Sequence, residues 1–339
     1  MDQTGTAGLL TLAERLLAGI RAPYVIEGHQ IAIGLSIGIK VVQPGLDDLQ
    51  QIMRHADLAL YRAKSEGRNC FRLFEIEMEE QHQSRRQLAL DLQGAIDCNG
   101  LPVHYQPIVD AVTLEIRTME ALVRWPHAVQ GMISPVVFVA LAEEAGMIHQ
   151  LGEWVLTRAC LDAASWPEHI KIAVNVSAIQ IGQASFTNVV ARTLTTTGLA
   201  PERLVLEITE SVLLSDSDHA LTILHELRSL GVSIVLDDFG TGYSALSYLK
   251  MFPFDEIKID KSFIDDIAVH RGCAAIVAAT TMLARAFDMI TTAEGVETRE
   301  QYEFLRTAAV SQMQGYLFGK PAPAESWDFS SKLRLAVSA

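Results

Sequence analysis

Beyond about Gly100 the chain alternates short apolar runs with amphipathic stretches, and that order constrains its fold more than any other feature. Strand-like runs are expected near Val103 to Val109, Ile116 to Arg124, Ile170 to Asn175, Leu204 to Ile208, Ser233 to Leu236, Glu256 to Ile259, Met289 to Ala293 and Ser311 to Gln314. Between them Pro135 to Gly146, Gly152 to Trp166, Gln183 to Gly198, Ser217 to Gly231, Asp265 to Phe287 and Arg299 to Thr307 read as helices, several closed by glycine. Strand then helix, repeated, implies a mostly parallel sheet with helices outside it. Eight strands suit one α/β barrel. The first two runs are joined with no helix between them, so that pair is expected to be antiparallel, because parallel neighbours need a longer crossover.

Polar residues recur where these strands end: Glu120 and Arg124, Asn175, Glu207 and Glu210, Asp237 and Asp238, Lys258 and Asp260, Glu294, then Gln314. Barrel enzymes build their sites at that face from several strand ends, so distant positions converge on one pocket. The adjacent Asp237 and Asp238 follow the apolar Ile234-Val235-Leu236 and would repel unless a cation or proton lay between them. Carboxylates with an Asn carbonyl suit Mg²⁺ or Mn²⁺, and the lack of paired His and Cys argues against structural zinc. Two ions about 3.5 to 4 Å apart can activate water and stabilise the leaving oxygen of a phosphoryl transfer, with Asp237 the bridging candidate. Read singly, Asp238 or Glu210 suits a helix cap; recurrence at six strand ends favours chemistry, here cleavage of a phosphodiester.

At 339 residues the chain is long enough for two units. Its formal charge of −14 argues against broad binding to polymeric nucleic acid, which needs clustered Lys and Arg. Cys70, Cys98, Cys160 and Cys273 are too far apart for a CxxC site and read as reduced core thiols. No apolar run approaches the roughly 18 residues of a membrane span, and Met1 to Gly8 has neither the basic start nor the apolar core of a signal peptide. A cytoplasmic location without membrane contact is the default, compatible with a membrane-bound parent protein.

The first unit is smaller. Leu9, Leu12, Leu16, Leu17 and Ile20 have helical spacing, closed by Gly19 and Pro23. Strands are expected at Tyr24 to Ile26, Ile31 to Val42 and Cys70 to Phe74, with a turn at Glu27-Gly28 and a helix from about Leu46 to Ser65. "SIGIK" at Ser36 to Lys40 and "HADLALYRAKSEGRN" at His55 to Asn69 resemble the C-terminal half of a GGDEF diguanylate cyclase domain. No GGDEF-type hairpin occurs in the chain, so residues 1–75 are expected to be a truncated, non-catalytic α+β fragment. Lys64 and Arg68, which match triphosphate-side residues of that family, read as surface charges. Half a sheet should leave an exposed edge and apolar face, inviting repacking or association. Residues 76–99 read as a linker helix weakened by Gly94, leading to a barrel over 100–330.

In that second segment "EALVRW" at Glu120 to Trp125, "NVS" at Asn175 to Ser177, "LEITES" at Leu206 to Ser211 and "DDFGTGYSALSYL" at Asp237 to Leu249 resemble the EAL domain family. "KID", "AEGVE" and "QGYLFGKP" extend the resemblance across Leu101 to Pro323, in order. It implies a modified TIM (β/α)₈ barrel with an antiparallel first strand, and a phosphodiesterase that linearises cyclic di-GMP to pGpG. By motif, Glu120, Asn175, Glu207 and Asp237 would hold one ion, and Asp237, Asp238 and Glu294 a second. Lys258 and Glu294 would orient or deprotonate the attacking water. Arg124 would grip phosphate, its alternative being an ion pair with Glu120. Gln106 and Gln314 would line the substrate, and Glu210, Asp260 and Glu297 would support the surrounding loops.

The family also implies a homodimer through the barrel that couples partner contact to the loop Asp238 to Tyr248, a candidate control point. Two positions depart from the family pattern: Ile179 stands where an Arg is usual, and Ser311 where Asp is frequent. Neither removes a predicted metal ligand. Two further readings remain open, a cyclic di-GMP receptor with little turnover and a regulatory interaction module.

Overall fold

A computed structural model of the chain describes residues 3–26, 29–42, 48–212, 217–240, 246–252, 254–267 and 269–329. Two compact units divide it, Met1–Asp91 and Leu92–Ala339. In the second, eight strands close a barrel: β1 (Val103–Asp110), β2 (Ile116–Val123), β3 (Lys171–Asn175), β4 (Leu204–Thr209), β5 (Ser233–Phe239), β6 (Glu256–Ile259), β7 (Ile290–Ala293) and β8 (Gln312–Gln314). Neighbours follow the order β4-β5-β6-β7-β8-β1-β2-β3 and close on β4.

Only β1 runs against its neighbours, placing Gln106 opposite Glu120 and Ile108 opposite Gln314. The cause lies in the connection. Asp110 accepts hydrogen bonds from the backbone N–H groups of Val112 and Thr113, and Leu114 adopts a positive φ of 58°, so the chain reverses within a few residues. A reversal that short permits only an antiparallel pair. The other strands pair in parallel and are covered on both faces, which is why runs such as Leu204 to Ile208 are buried throughout. Side chains of a strand alternate between faces. Ala173, Val205 and Val235 cluster in the core two residues before Asn175, Glu207 and Asp237, so each polar residue shares a face with an apolar one beneath it.

Two helices differ from expectation. Gln183 to Gly198 is realised as Phe186–Thr197, and a short helix Ala178–Ile181 that was not expected precedes it, started by Ser177 with a capping box to Gln180. Asp265 to Phe287 is realised as Arg271–Ala286, preceded by a separate short helix Lys261–Asp265 capped by the Asp260 carboxylate. A hairpin of Trp125–His127 with Gly131–Ile133 was not expected, since Pro126 lacks the N–H of a regular strand.

The first unit holds a helix Gln3–Arg21, a helix Leu49–Ser65 and two separate two-stranded ladders. The run Ile31 to Val42 is not one strand. Its start belongs to His29–Ile31, antiparallel to Tyr24–Ile26, while Ile37–Ile39 pairs in parallel with Phe71–Leu73. The expected helix end is also corrected, since the helix continues through Gly19 to Arg21. The turn expected at Glu27-Gly28 lies outside the described residues. Leu12, Leu16, Val25, Ile26 and Met53 are exposed. Lys64 and Arg68 are exposed as well.

A helix Ile76–Asp97 follows, and the division between units falls within it, after Asp91. All four cysteines are free, but only Cys160 is buried and Cys98 is exposed, so the core-thiol expectation is corrected for Cys98. Among the described residues no helix is long and apolar enough to cross a membrane.

Candidate active site

The barrel brings six of the expected residues to one end. Glu120, Asn175, Glu207, Asp237 and Lys258 lie in the C-terminal parts of β2 to β6, and Glu294 directly follows β7. Lys258 is the centre of the group, with 1% of its side chain exposed. Its Nζ lies 2.5 Å from Glu294 Oε1, 3.1 Å from Glu207 Oε2, 3.5 Å from Asp237 Oδ1 and 4.0 Å from Glu120 Oε2.

One ammonium therefore faces four carboxyl groups, and the imbalance appears in their proton affinities. Burial alone would lower the Lys258 pKa, but Asp237, Glu120, Glu207 and Glu294 outweigh it and hold the ammonium firmly charged. Burial raises the Glu207 carboxyl well above its ordinary value, with Glu120, Asp237 and Glu294 adding to the effect. Glu294 is pushed up to about 8, by burial first and then by Asp237 and Glu120. Asp238 is raised by burial, Asp237 and Asp260. Glu120 moves the other way: burial would raise it, yet Lys258 and hydrogen bonds from Gln314 and Asn175 bring it below its ordinary value.

Both Glu120 oxygens are held. Asn175 Nδ2 donates to Oε1 at 2.7 Å, and Gln314 Nε2 donates to Oε2 at 2.5 Å. Gln314 Nε2 also donates to Gln106 Oε1 at 3.2 Å, and Gln106 Nε2 donates to the Gly319 carbonyl at 3.0 Å. The amide of Asn175 thus spends its donor on Glu120 and keeps its carbonyl oxygen as an available ligand.

Asp238 shows how two successive residues serve one site. In a regular strand Asp238 would face away from Asp237. Here the pairing of β5 with β6 shifts register between Leu236 and Phe239, and Asp238 takes a left-handed φ of 55°. This local bulge re-aims the side chain. Asp237, Asp238 and Glu294 each offer a carboxylate oxygen, and the three oxygens lie within 4.8 Å of one another. Glu207 Oε2 is buried without a hydrogen bond, its contact with Lys258 being ionic only. Clustered carboxylates, a buried oxygen without a donor and a spare Asn carbonyl fit hard divalent cations, which take oxygen ligands.

Other expected residues stand around this group. Glu210 Oε1 accepts from the Gly240 N–H at 2.9 Å, fixing the start of the loop after β5; residues 241–245 of that loop lie outside the described residues. Asp260 caps Lys261–Asp265 through Ser262 N–H at 3.1 Å. Glu297 Oε1 accepts from Lys261 Nζ at 2.6 Å. Arg124 donates to the Val123 carbonyl at 3.2 Å, and among the described residues it forms no ion pair with Glu120.

A cavity of about 280 Å³ opens onto Glu120, Asp237, Glu294 and Gln314. A larger one, about 570 Å³, is lined by Trp154, Arg158 and His104 among others and contains none of these carboxylates. Two residues near the centre were missed in the sequence. Lys261 lines the smaller cavity. Glu256 lies half-buried two residues before Lys258, and Thr292 Oγ1 hydrogen-bonds its carboxyl. The period of a strand was signal enough for Glu256, since i and i+2 share a face; Lys261 had only its place after "KID".

Comparison with known proteins follows the same division of the chain. Residues 89–321 match the EAL domain, and residues 1–70 match the diguanylate cyclase, GGDEF domain. An uncharacterized signaling protein of Caulobacter vibrioides is 48% identical over 96% of this chain and 40% of its own length. The bifunctional diguanylate cyclase/cyclic di-GMP phosphodiesterase MucR of Pseudomonas aeruginosa is 43% identical over 94% of this chain and 47% of its own. The chain thus spans less than half the length of these two curated relatives. A solved structure described as the PaMucR phosphodiesterase in complex with c-di-GMP superposes with a TM-score of 0.69 at 44% identity, covering 71% of this chain and 99% of that one. With 233 of its 339 residues matched in a barrel whose first strand is antiparallel, the chain belongs to the EAL domain family.

Proposed function

We propose that the chain hydrolyses cyclic di-GMP to linear pGpG at the C-terminal end of the barrel, as a phosphodiesterase of bacterial second-messenger signalling. The observation that carries this reading is the buried Lys258 among four carboxyls, beside the Asp237, Asp238 and Glu294 cluster. The solved relative bound to c-di-GMP and the curated relatives named as phosphodiesterases support the choice of substrate.

Glu120, Asn175, Glu207 and Asp237 would hold one Mg²⁺ or Mn²⁺ ion, and Asp237, Asp238 and Glu294 a second. Bound there, the ions would supply Lewis acidity and make a water acidic enough to attack near neutral pH. The residues of the chain do the rest. Lys258 holds the attacking oxygen by charge, and Glu294 takes up its proton. Water adds to phosphorus, the bond from phosphorus to the 3′ oxygen breaks, and that oxygen leaves with a proton. Arg124 grips a phosphate oxygen, while Gln106 and Gln314 keep Glu120 in place and line the substrate. Glu210, Asp260 and Glu297 hold the surrounding loops.

The assembly proposed is a homodimer through the barrel, in which partner contact orders the loop after β5. The proposed location is cytoplasmic. Residues 1–75 contribute no catalytic group, and residues 76–99 link them to a barrel over 100–330. The test incubates the protein with cyclic di-GMP and Mg²⁺ or Mn²⁺ and compares wild type with Glu120→Ala and Lys258→Ala. Release of pGpG by wild type alone supports catalysis. Tight binding without product means a receptor, and neither binding nor product means an interaction module. Light scattering of the same samples decides the dimer: a fully active monomer removes the coupling.

A further inference from the structure

The cavity that opens onto the carboxylates contains a second lysine. Among the described residues lining it, Lys261 is the one cation, and the other charged groups, Glu120, Asp237, Glu294 and Glu297, are acidic. Lys258 cannot serve an anion arriving at the mouth, because its side chain is 1% exposed and its charge is shared by four carboxyls. Lys261 is 47% exposed.

Its position is built into the fold. The Asp260 cap starts the helix Lys261–Asp265, of which Lys261 is the first residue. Its stem then lies against Gly295, where an added Cβ would fall 2.3 Å from Cγ and 2.7 Å from Cδ of Lys261. Gly295 also has a φ of +69°, a second reason for glycine at that point. The backbone that follows Glu294 is thus the bed on which Lys261 rests.

The ammonium has donors to spare. Nζ donates to Glu297 Oε1 at 2.6 Å, whereas Asp265 Oδ1, at 3.8 Å, is beyond hydrogen-bond reach. An ammonium has three N–H donors, so two remain for a ligand. The bond to Glu297 keeps Lys261 charged. A cyclic dinucleotide carries two phosphodiesters, and the carboxylate cluster accounts for only the one being cleaved.

We propose that Lys261 holds the phosphodiester that is not being cleaved, and so sets affinity for the cyclic dinucleotide without entering the chemical step. This rests on the hydrolase reading above. Lys261 is a binding residue on this view, and an ammonium–phosphate contact is charge-assisted and sensitive to salt.

The experiment measures kcat and KM for cyclic di-GMP with Mg²⁺ on the full chain, for wild type, Lys261→Met and Lys261→Arg. Lys261→Met is expected to raise KM about tenfold and to leave kcat within about twofold. Lys261→Arg should restore most of the affinity. Raising salt from about 50 to about 300 mM should raise the wild-type KM more than that of Lys261→Met, which a purely structural lysine would not cause. Should thermal melting reveal an unfolded Lys261→Met, Lys261→Gln takes its place in the comparison. An unchanged KM in an active enzyme, or a fall in kcat alone, overturns this inference and leaves the hydrolase intact. A wild type that neither binds nor cleaves cyclic di-GMP overturns both.

Discussion

The two units hold their polar motif residues in opposite ways. In the barrel, residues as distant as Gln106 and Gln314 meet through hydrogen bonds, and Lys258 gathers carboxyls from four other points of the chain. In the first unit, Lys64 and Arg68 carry family motif positions yet stand exposed, and the pairs of Arg62 and Arg72 with Glu66 are local; of the same motif, His55 is buried and reaches Glu79 24 residues on. A motif becomes a site only when the strands that hold its partners close around it. Among the described residues, eight strands close in one unit, and two separate pairs form in the other.

The largest expected effect tests that contrast directly. Lys258→Ala should lower cyclic di-GMP hydrolysis by about 10²- to 10³-fold, the range typical of a lost electrostatic contact to the reacting oxygen. Lys64→Ala and Arg68→Ala should leave the rate unchanged within error. The same assay, run on the three variants side by side, breaks the comparison if either substitution in the first unit approaches the effect of Lys258→Ala.

A smaller but still large difference is expected in backbone protection. Closed ladders have no edge, whereas two-stranded ones are marginal on their own. Amide hydrogen exchange at Leu206 and Val235 should be slower than at Val25 and Ile39 by about 100-fold or more.

Much of the barrel was legible because its cause is local. Uninterrupted apolar runs such as Leu204-Val205-Leu206 mark strands buried on both faces, and period two assigns Glu207, Asp237 and Lys258 to the interior. What escaped was set by tertiary context. Alternation sends Asp238 outward, and only the register shift against β6 turns it back. Pro126 hid a hairpin, and the run Ile31 to Val42 gave no sign that its two ends pair with different strands. Lys261 was invisible because its place depends on Gly295, far along the chain and on the other side of a helix and a strand.

Proton affinity offers a third test, of a few degrees in Tm. In the metal-free protein the Glu294 carboxyl is raised to about 8, so the folded state keeps a proton that the unfolded state has lost above its ordinary value of 4.5. Stability must then fall as pH rises between those two values, by about 1.4 kcal/mol per unit for such a group, and level off above the upper one. Glu207, also raised, acts in the same direction. In chelator, Tm at pH 8 should lie about 5 °C or more below that at pH 6. Added Mg²⁺ should shrink the gap, since a bound cation replaces the proton. A Tm that climbs with pH in chelator would contradict the charge imbalance around Lys258. Exposed pairs of the first unit, such as Arg72 with Glu66, should contribute little to either measurement.

Little effect on activity is expected even from a highly disruptive change in the first unit. Gly38 lies in Ile37–Ile39 where that strand presses on the helix Leu49–Ser65: an added Cβ would stand 2.1 Å from the Ala56 carbonyl oxygen and 2.3 Å from the Leu60 nitrogen. Both are backbone atoms, so no side chain can swing aside. Gly38→Val should therefore separate strand from helix and abolish exchange protection at Ile37 and Ile39. If residues 1–75 supply no catalytic group, kcat and KM for cyclic di-GMP should stay within about twofold of wild type, the scatter expected of a substitution remote from the site. Loss of protection together with loss of hydrolysis would mean that the fragment supports the barrel after all, and the contrast between the two units would then be one of chemistry alone and not of independence.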